Sequence, residues 1–301
     1  MTKQMKADLG LFLVTIGWGA SFILTKNSLG ELQTFNFLAI RFILAFGLSA
    51  AIFFKDMIKT DRKTLIGGLI LGVVLYASFA LQTMGLLYTT ASKSAFVTGF
   101  SVVLVPLFTA FLSKKLPEKK ITFSVVLAFV GLGLLTLNGS ALGINIGDFY
   151  TLISAIIFAF YIIMVGKYTA KTQSVPLAIV QLGVVGLLSV FTTFTLENPQ
   201  MPESLSVWTN IIILSVVCTS GAYIVQSVAQ KYTTATHTAL IYSAEPVFAA
   251  IFGYFVVGEV LNGRGLLGAG LVLTAMLLSE LDLKLIFRKN IKVLVQSLNI
   301  K

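Results

Sequence analysis

Charged residues are scarce in this chain, and their scarcity excludes most soluble proteins. They make up 11% of the 301 residues, against roughly 25% in an average soluble domain. Apolar residues account for 56%, more than a soluble protein of this length can bury. Runs without any charged residue include 64–92, 94–113, 121–147, 172–196 and 204–230. Each is long enough to cross ~30 Å of hydrocarbon as a helix, so the sequence predicts a polytopic helical membrane protein.

Residues that build disulfides, metal centres and catalytic sites are also scarce. Cys218 and His237 are the only cysteine and histidine, so neither a disulfide framework nor a zinc site is expected. The sequence has no GxxxxGK[ST] loop, which excludes a P-loop ATPase, and no HExxH, GxSxG or TVGYG motif. We therefore expect no cofactor, no metal and no enzymatic activity, and any transport would be driven by gradients alone.

Lys and Arg are concentrated in one set of loops. The net charge of +10 could indicate a nucleic-acid partner, but the distribution favours membrane topology. If the N-terminus is cytoplasmic, 18 of the 22 basic residues lie on the cytoplasmic side; Lys26, Lys93 and Arg264 lie opposite, and Arg41 lies within a span. This asymmetry follows the positive-inside rule. It predicts a multi-pass protein of the plasma membrane with both termini cytoplasmic and no nucleic-acid partner.

The apolar segments divide into ten predicted membrane spans. Short loops separate them, and most prolines fall in loops or where helices begin. The spans are about 8–27, 34–54, 64–87, 93–113, 121–138, 147–167, 175–196, 207–230, 237–257 and 264–284.

An internal repeat relates the two halves of the chain. Residues 81–95 read LQTMGLLYTTASKSA and residues 225–239 read VQSVAQKYTTATHTA, with six identities at a shift of 144. A repeat unit of five spans is odd, so the second copy crosses the membrane in the opposite sense. The predicted units are 8–138 and 147–284, followed by a basic cytoplasmic tail at 285–301. We expect an all-α membrane fold of ten helices in two inverted five-helix repeats.

Three segments resemble a known transporter family. They read GWGASFILTK at 17–26, TTASKSAFVTGFSVVLVPLFTAF at 89–111 and TTATHTALIYSAEPVFAAIFGYFVVGEVL at 233–261. Together they are similar to EamA-type members of the drug/metabolite transporter superfamily, over nearly the whole chain. The chain departs from the family's symmetry at Glu259, because the first half offers only Glu118, one position out of register.

The resemblance implies a central cavity and export of small metabolites such as amino acids. Spans one, three, four, six, eight and nine would line that cavity, with five and ten outside. The small-residue patterns GLG at 131–133 and GLLGAG at 265–270 indicate helix packing or a homodimer seam. The expected partners are therefore a small-molecule substrate and the lipid bilayer, for a monomer or a homodimer. Import or facilitated passage of a vitamin, nucleobase or other metabolite is the alternative.

Two further classes of function are less consistent with the sequence. An intramembrane enzyme acting on lipid or prenyl substrates needs clustered Asp, His or Arg residues, and the 12 acidic residues here are scattered. A non-transporting subunit needs a large polar interface, and most loops here are short. A secondary transporter working by alternating access remains the leading hypothesis.

Ionisable residues within spans are costly and mark function by default. Glu245 is predicted near the midplane, as a substrate-amine acceptor, a proton carrier or a structural carboxyl. His237 lies two turns earlier, as a titrating group or an interfacial side chain. Arg41 would bind a substrate carboxylate or clamp helix ends. Pro106 and Pro246 lie deep in spans four and nine, where proline removes a backbone hydrogen bond and kinks the helix. These five residues are predicted to serve proton coupling or gating.

The predicted substrate wall combines aromatic and neutral polar side chains. Gln82 and Gln226 are equivalent across the repeat, as polar arms in the cavity or as interhelical contacts. Aromatic residues on the lining spans would suit apolar or aromatic amino acids, although many aromatics simply face lipid. The full predicted set is Trp18, Ser21, Phe22, Tyr76, Phe79, Gln82, Thr98, Ser101, Tyr161, Tyr223, Gln226 and Tyr242.

Overall fold

The computed structural model describes residues 1–136 and 145–280, which contain ten main helices and no strand. Eight of these described helices are long and apolar enough to cross a membrane. A short helix, Phe54–Ile58, follows the second of the ten. The ten are α1 Lys3–Ser28, α2 Thr34–Ile52, α3 Arg62–Tyr88, α4 Ala91–Leu112, α5 Lys119–Thr136, α6 Ile146–Thr169, α7 Ser174–Leu196, α8 Leu205–Ala229, α9 Ala235–Val257 and α10 Gly263–Glu280.

The fold predicted from the sequence, ten helices in two inverted halves, is confirmed. The contacts between helices are the same when each helix is replaced by its equivalent in the other half. The contact of α1 with α9 corresponds to that of α6 with α4, and the contact of α3 with α7 corresponds to that of α8 with α2. The predicted tail at 285–301, and the predicted ends of spans five and ten at 138 and 284, lie outside the described residues. We call the side on which α1 begins the N-terminal face and the opposite side the far face.

Local sequence signals fix where the repeated helices begin. Thr90 and Thr234, equivalent across the repeat, are the N-caps of α4 and α9. Their hydroxyls accept from the backbone N–H of Lys93 at 3.2 Å and of His237 at 3.1 Å. Each cap satisfies one of the first-turn N–H groups that have no partner within a helix. Both halves therefore start their fourth helix with the same structure.

The small-residue patterns of α5 and α10 pack these two helices against each other. A Cβ on Gly131 would lie 2.8 Å from the Gly268 carbonyl oxygen and 2.9 Å from the Val272 nitrogen. Only residues without side chains allow so close an approach, as is common between membrane helices. The patterns thus serve helix packing within the chain. Outside the bundle, large apolar side chains such as Phe123, Phe191 and Phe255 are exposed, as expected for contact with lipid.

Two spans are interrupted near the centre of the molecule. In α8, residues Leu214–Gly221 form a π-helical segment, a feature that is frequent at functional sites. In α9, one segment ends at Tyr242 and another begins at Glu245. Pro246 then stands in the first turn of a helix, where its missing N–H costs no hydrogen bond. The helix continues through Pro106, by contrast, within α4.

Candidate functional site

A small cavity lies at the centre of the bundle. Its volume is about 30 Å³, room for a few water molecules at the ~10–15 Å³ that one requires. Seven helices contribute to its wall. The lining residues are Trp18, Ser21, Phe22, Arg41, Ser78, Phe79, Gln82, Thr98, Phe158, Tyr223 and Glu245.

Arg41 is 2% exposed and reaches the cavity from α2, a helix that the family resemblance leaves outside the lining set. Its Nε donates a 2.8 Å hydrogen bond to the hydroxyl of Thr219, in the π-helical segment. The guanidinium carbon lies 5.1 Å from the ring centroid of Phe79 and 5.5 Å from that of Phe42, within cation–π range. No acidic side chain among the described residues lies within ion-pair distance, so the guanidinium has donors available for an anionic group.

Glu245 provides a carboxyl group in the same cavity. It is 8% exposed and begins the second segment of α9. Within the described part of the chain, this carboxyl has neither a hydrogen bond nor an ion-pair partner. A buried carboxylate is costly unless something pairs with it. The break in α9 therefore presents an acceptor to whatever occupies the cavity.

Aromatic rings form most of the remaining wall. Trp18 is the centre of this group: its ring lies 5.4 Å from that of Tyr223, 5.9 Å from that of Phe158 and 5.0 Å from that of Tyr242. Its indole N–H donates to the Cys218 carbonyl at 2.9 Å, so the ring is fixed against α8. The wall beside Arg41 and Glu245 is therefore largely aromatic.

Neutral polar side chains complete the wall. Gln82 Nε2 donates to the Thr98 hydroxyl at 3.2 Å, linking α3 to α4. Ser78 and Ser154 hydroxyls lie 3.0 Å apart between α3 and α6. These groups supply hydrogen bonds without charge and hold the lining helices together.

Other predicted site residues lie outside this cavity. The Tyr76 hydroxyl donates to Thr192 at 3.0 Å, and Tyr161 donates to Gln181 at 2.8 Å. Gln226, expected as the symmetric counterpart of Gln82, is buried and donates to Gln230 at 3.3 Å. Ser101, Tyr242, His237, Pro106 and Pro246 are also absent from the wall.

The far face is held closed by interactions around the start of α4. Lys93 forms a 2.8 Å ion pair with Asp148 of α6, and the Thr89 hydroxyl donates to the same carboxyl at 2.7 Å. Gly258, with φ of 68°, follows α9 in the left-handed conformation that favours glycine. Glu259 then reaches α4, where it accepts from the backbone N–H groups of Ala91 and Ser92, each at 3.0 Å.

Carboxylates cap two further helices at this face. Glu197 accepts from the N–H groups of Phe35 at 3.0 Å and Asn36 at 2.8 Å, at the start of α2. Glu31 accepts from the N–H of Ser204 at 3.2 Å, before α8. Hydrogen bonds from Ser204, its hydroxyl first, lower the pKa of Glu31. Negative charge at helix N-termini is stabilising, so these residues hold the far-face loops in place.

A wider cleft of about 450 Å³ opens at the far face beside this region. Lys26, at the end of α1, lines it together with Lys93 and Glu259. The Lys26 ammonium donates to the carbonyl of Leu86 at 2.9 Å and to that of Thr89. The cleft and the central cavity have no lining residue in common.

The N-terminal face is closed by α1 against the start of α9. His237 Nε2 lies 3.2 Å from Asp8 Oδ1. Lys3 lies over the ring of Tyr232, 5.6 Å from its centroid. With contacts formed at both faces and a central space for only a few waters, the structure represents a closed, contracted state.

Sequence reasoning missed several residues that act here. Ser78 lies one helical turn before Gln82, and Phe158 lies one turn before Tyr161. Residues one turn apart share a helix face, so this spacing could have indicated both residues. Lys93 was visible in the repeated phrase as the counterpart of His237. No local signal linked Asp8 or Asp148 to these positions, because each partner lies on another helix.

Comparison with known proteins identifies the family. A sequence model of the EamA-like transporter family matches residues 5–137 and 145–281. A protein of Archaeoglobus fulgidus described as an uncharacterized transporter is 33% identical over 281 residues, covering 93% of this chain and 87% of that protein. The uncharacterized transporter YyaM of Bacillus subtilis is 26% identical over 292 residues, covering 89% and 93%. Among the solved structures that match, a crystal structure has a TM-score of 0.69 and 18% identity, over 91% of this chain and 96% of that one, which shows the shared fold.

Proposed function

The chain belongs to the EamA-like transporter family, and from this premise we propose that it is a secondary transporter that exports small zwitterionic metabolites, amino acids or related compounds, by alternating access. Membership makes it a multi-pass membrane transporter with a small-molecule substrate. The chemical class of substrate, the direction and the mechanism are our proposal. The single observation that carries it is the presence of both Arg41 and Glu245 in the wall of one aromatic cavity.

The charges of the cavity match those of a zwitterion. A guanidinium binds a carboxylate through parallel hydrogen bonds, and Arg41 has N–H donors left after its bond to Thr219. A carboxylate accepts from an ammonium, and Glu245 has no other partner among the described residues. Two buried charges of opposite sign cost least when a ligand satisfies both at once. The substrate would then neutralise the site as it binds.

The closed ends of the cavity support alternating access. The space of about 30 Å³ is too small for a metabolite until helices move apart. Opening at one face requires loss of the Asp8–His237 contact, and opening at the other requires loss of the contacts around Lys93 and Glu259. Two inverted halves can exchange conformations to open one face while the other stays closed.

The orientation that we propose places the N-terminal face in the cytoplasm and the protein in the plasma membrane. The support is the concentration of Lys and Arg in the loops of that face. Substrate would then bind from the cytoplasm and leave at the far face. In this orientation the wider cleft at the far face lies outside the cell.

The test is a comparison of small molecules in the medium and cytoplasm of cells that express the protein. We expect at least one amino-acid-like zwitterion to accumulate outside with the wild type and to stay inside with Arg41→Gln at equal membrane expression. Faster depletion of a medium component would indicate import instead. Accumulation outside of compounds that lack either charge would contradict the proposed substrate class.

A further inference from the structure

The two faces of the transporter are closed by repeat-equivalent positions. A shift of 144 residues superimposes Lys93 on His237, and each is the third residue of a helix whose N-cap is a repeated threonine. Lys93 pairs with Asp148, near the start of α6. His237 pairs with Asp8, near the start of α1. Because α1 and α6 are themselves equivalent helices, the two pairs are the same contact built once at each face.

The pair at the N-terminal face has fewer supporting interactions. At the far face, the Thr89 hydroxyl donates to Asp148 at 2.7 Å. Its equivalent, Thr233, has a buried hydroxyl without a hydrogen-bond partner in the described part of the chain. The Asp148 side chain is 2% exposed, whereas that of Asp8 is 30% exposed. Water and salt therefore weaken the Asp8 pair more than the Asp148 pair.

The carboxylate cap is also missing at the N-terminal face. Glu259 accepts from the first N–H groups of α4. The first half offers Glu118 at nearly the equivalent place, but its carboxylate lies 3.8 Å from Lys120, not at the start of α9. Closure at the N-terminal face thus depends more heavily on the Asp8–His237 contact.

The chemical difference between the pairs is the group that carries the positive charge. A lysine ammonium stays charged across the physiological pH range, whereas a free imidazole titrates at about pH 6.5. Asp8 Oδ1 receives no well-aligned hydrogen bond, although His237 Nε2 lies 3.2 Å away. A protonated imidazole therefore adds a charge attraction to Asp8 that the neutral ring lacks.

Other ionisable groups surround His237 on the helices that pack against the first segment of α9, namely α1, α4, α6 and α10. Of the described side chains, only that of Asp8 comes within ion-pair distance. Most of the other ionisable groups that these elements carry at this face are basic. They are Lys3 and Lys6 on α1, Lys114, Lys115 and Glu118 after α4, Lys167 and Tyr168 on α6, Lys231 and Tyr232 in the loop before α9, and Glu280 at the end of α10.

We propose that the Asp8–His237 contact is a proton-dependent latch on the N-terminal face, and that the equivalent Lys93–Asp148 contact is a latch that does not respond to physiological pH. Protonation favours the closed N-terminal face because the imidazolium attracts the Asp8 carboxylate more strongly than a neutral imidazole does. The latch is therefore expected to hold more tightly at low pH than at high pH. In the proposed orientation, a more acidic cytoplasm therefore slows access of substrate to the cavity.

This inference rests on the alternating access proposed above, but its test needs no substrate. The full chain, with Cys218→Ala, carries spin labels at Gln4→Cys and Lys231→Cys, two exposed positions on either side of the latch. The measurement is the distribution of distances between the labels in lipid nanodiscs at pH 5.5 and pH 8.5. Since an exposed ion pair contributes little, we expect the ratio of near to far distances to be about 1.5- to 5-fold higher at the lower pH.

Three variants make the result specific. His237→Gln and Asp8→Asn should each give a distribution that does not change with pH, and His237→Lys should stay near at both pH values. A wild type without pH dependence would overturn the proposal, as would a His237→Gln variant that keeps the wild-type dependence. A latch that responds to pH in a protein that moves no metabolite would leave the latch standing and refute the proposed function.

Discussion

Arg41 and Glu245 line one cavity from opposite halves of the fold, with Tyr223 beside them in the same wall. Neither has an oppositely charged protein partner within ion-pair distance in the described part of the chain. Burying two ionisable groups without partners costs free energy if their role is only structural. A ligand that carries both complementary charges would offset this cost when it binds.

Arg41→Gln should abolish discrimination in favour of a substrate carboxylate. Loss of a charged hydrogen-bond partner costs about 1.5–3 kcal/mol, or roughly ten- to a hundredfold in affinity. Arg41→Lys keeps the charge but loses the bond to Thr219 and the flat stacking on Phe79, so we expect partial loss. The measurement is counterflow of labelled amino acids in proteoliposomes. Equal counterflow by both variants and the wild type would refute a role for Arg41 in binding.

Glu245→Gln should weaken binding of the substrate ammonium by a similar factor, because an amide cannot offer a full negative charge. If Glu245 also carries a proton during transport, the pH profile of flux should flatten in this variant. The measurement is flux between pH 5.5 and 8.5 for wild type and variant. A variant that transports normally with an unchanged profile would exclude both roles.

Gly19→Ala should separate α1 from α9. A Cβ at this position would lie 2.6 Å from Phe248 Cβ and 2.8 Å from the Ala249 nitrogen, so overpacking should cost about 1–3 kcal/mol. Gly47→Ala is the matched control, since a Cβ there would meet nothing within 4 Å and alanine favours the helix by up to ~1 kcal/mol. The measurement is the free energy of unfolding of purified protein. Equal effects at both positions would contradict the close approach of α1 and α9.

Glu259→Gln should loosen the far face, because the charged cap on Ala91 and Ser92 is lost. We expect Thr98→Cys, in the cavity wall, to react about tenfold faster with a membrane-impermeant thiol reagent applied at that face. Glu203→Gln is the matched control: its side chain is exposed in a far-face loop and should leave the rate unchanged. A rate unaffected by Glu259→Gln would mean that other contacts close this face.

The number and approximate positions of the helices could be predicted from the sequence, because a bilayer allows few other structures. Charge-free runs long enough to cross the membrane must be helical, and the repeat fixed their grouping. The start of α1 at Lys3, instead of residue 8, reflects the cap supplied by Thr2. The break in α9 also has a sequence signal, since Glu245-Pro246 is better placed at the start of a helix than within one.

The site was less predictable because it depends on packing between helices. Helical spacing cannot say that Arg41 turns toward the cavity, since its bond to Thr219 requires the π-helical segment of α8. Nor can it say that Gln82 lines the wall while Gln226 bonds to Gln230. The repeat makes these glutamines equivalent in sequence, but the asymmetry of the two halves places them differently.

The most direct test of the account is binding of four matched ligands to the wild-type protein. Phenylalanine carries both charges; phenylalaninamide lacks the carboxylate, 3-phenylpropionate lacks the ammonium, and 3-phenylpropionamide lacks both. The measurement is the shift in Tm that each ligand causes. If phenylalanine does not bind, the same comparison is made with another amino acid and its three corresponding analogues. The account predicts that a zwitterion raises the Tm and that each analogue requires at least about a tenfold higher concentration. An analogue that lacks one charge and binds as well as its parent zwitterion would contradict it.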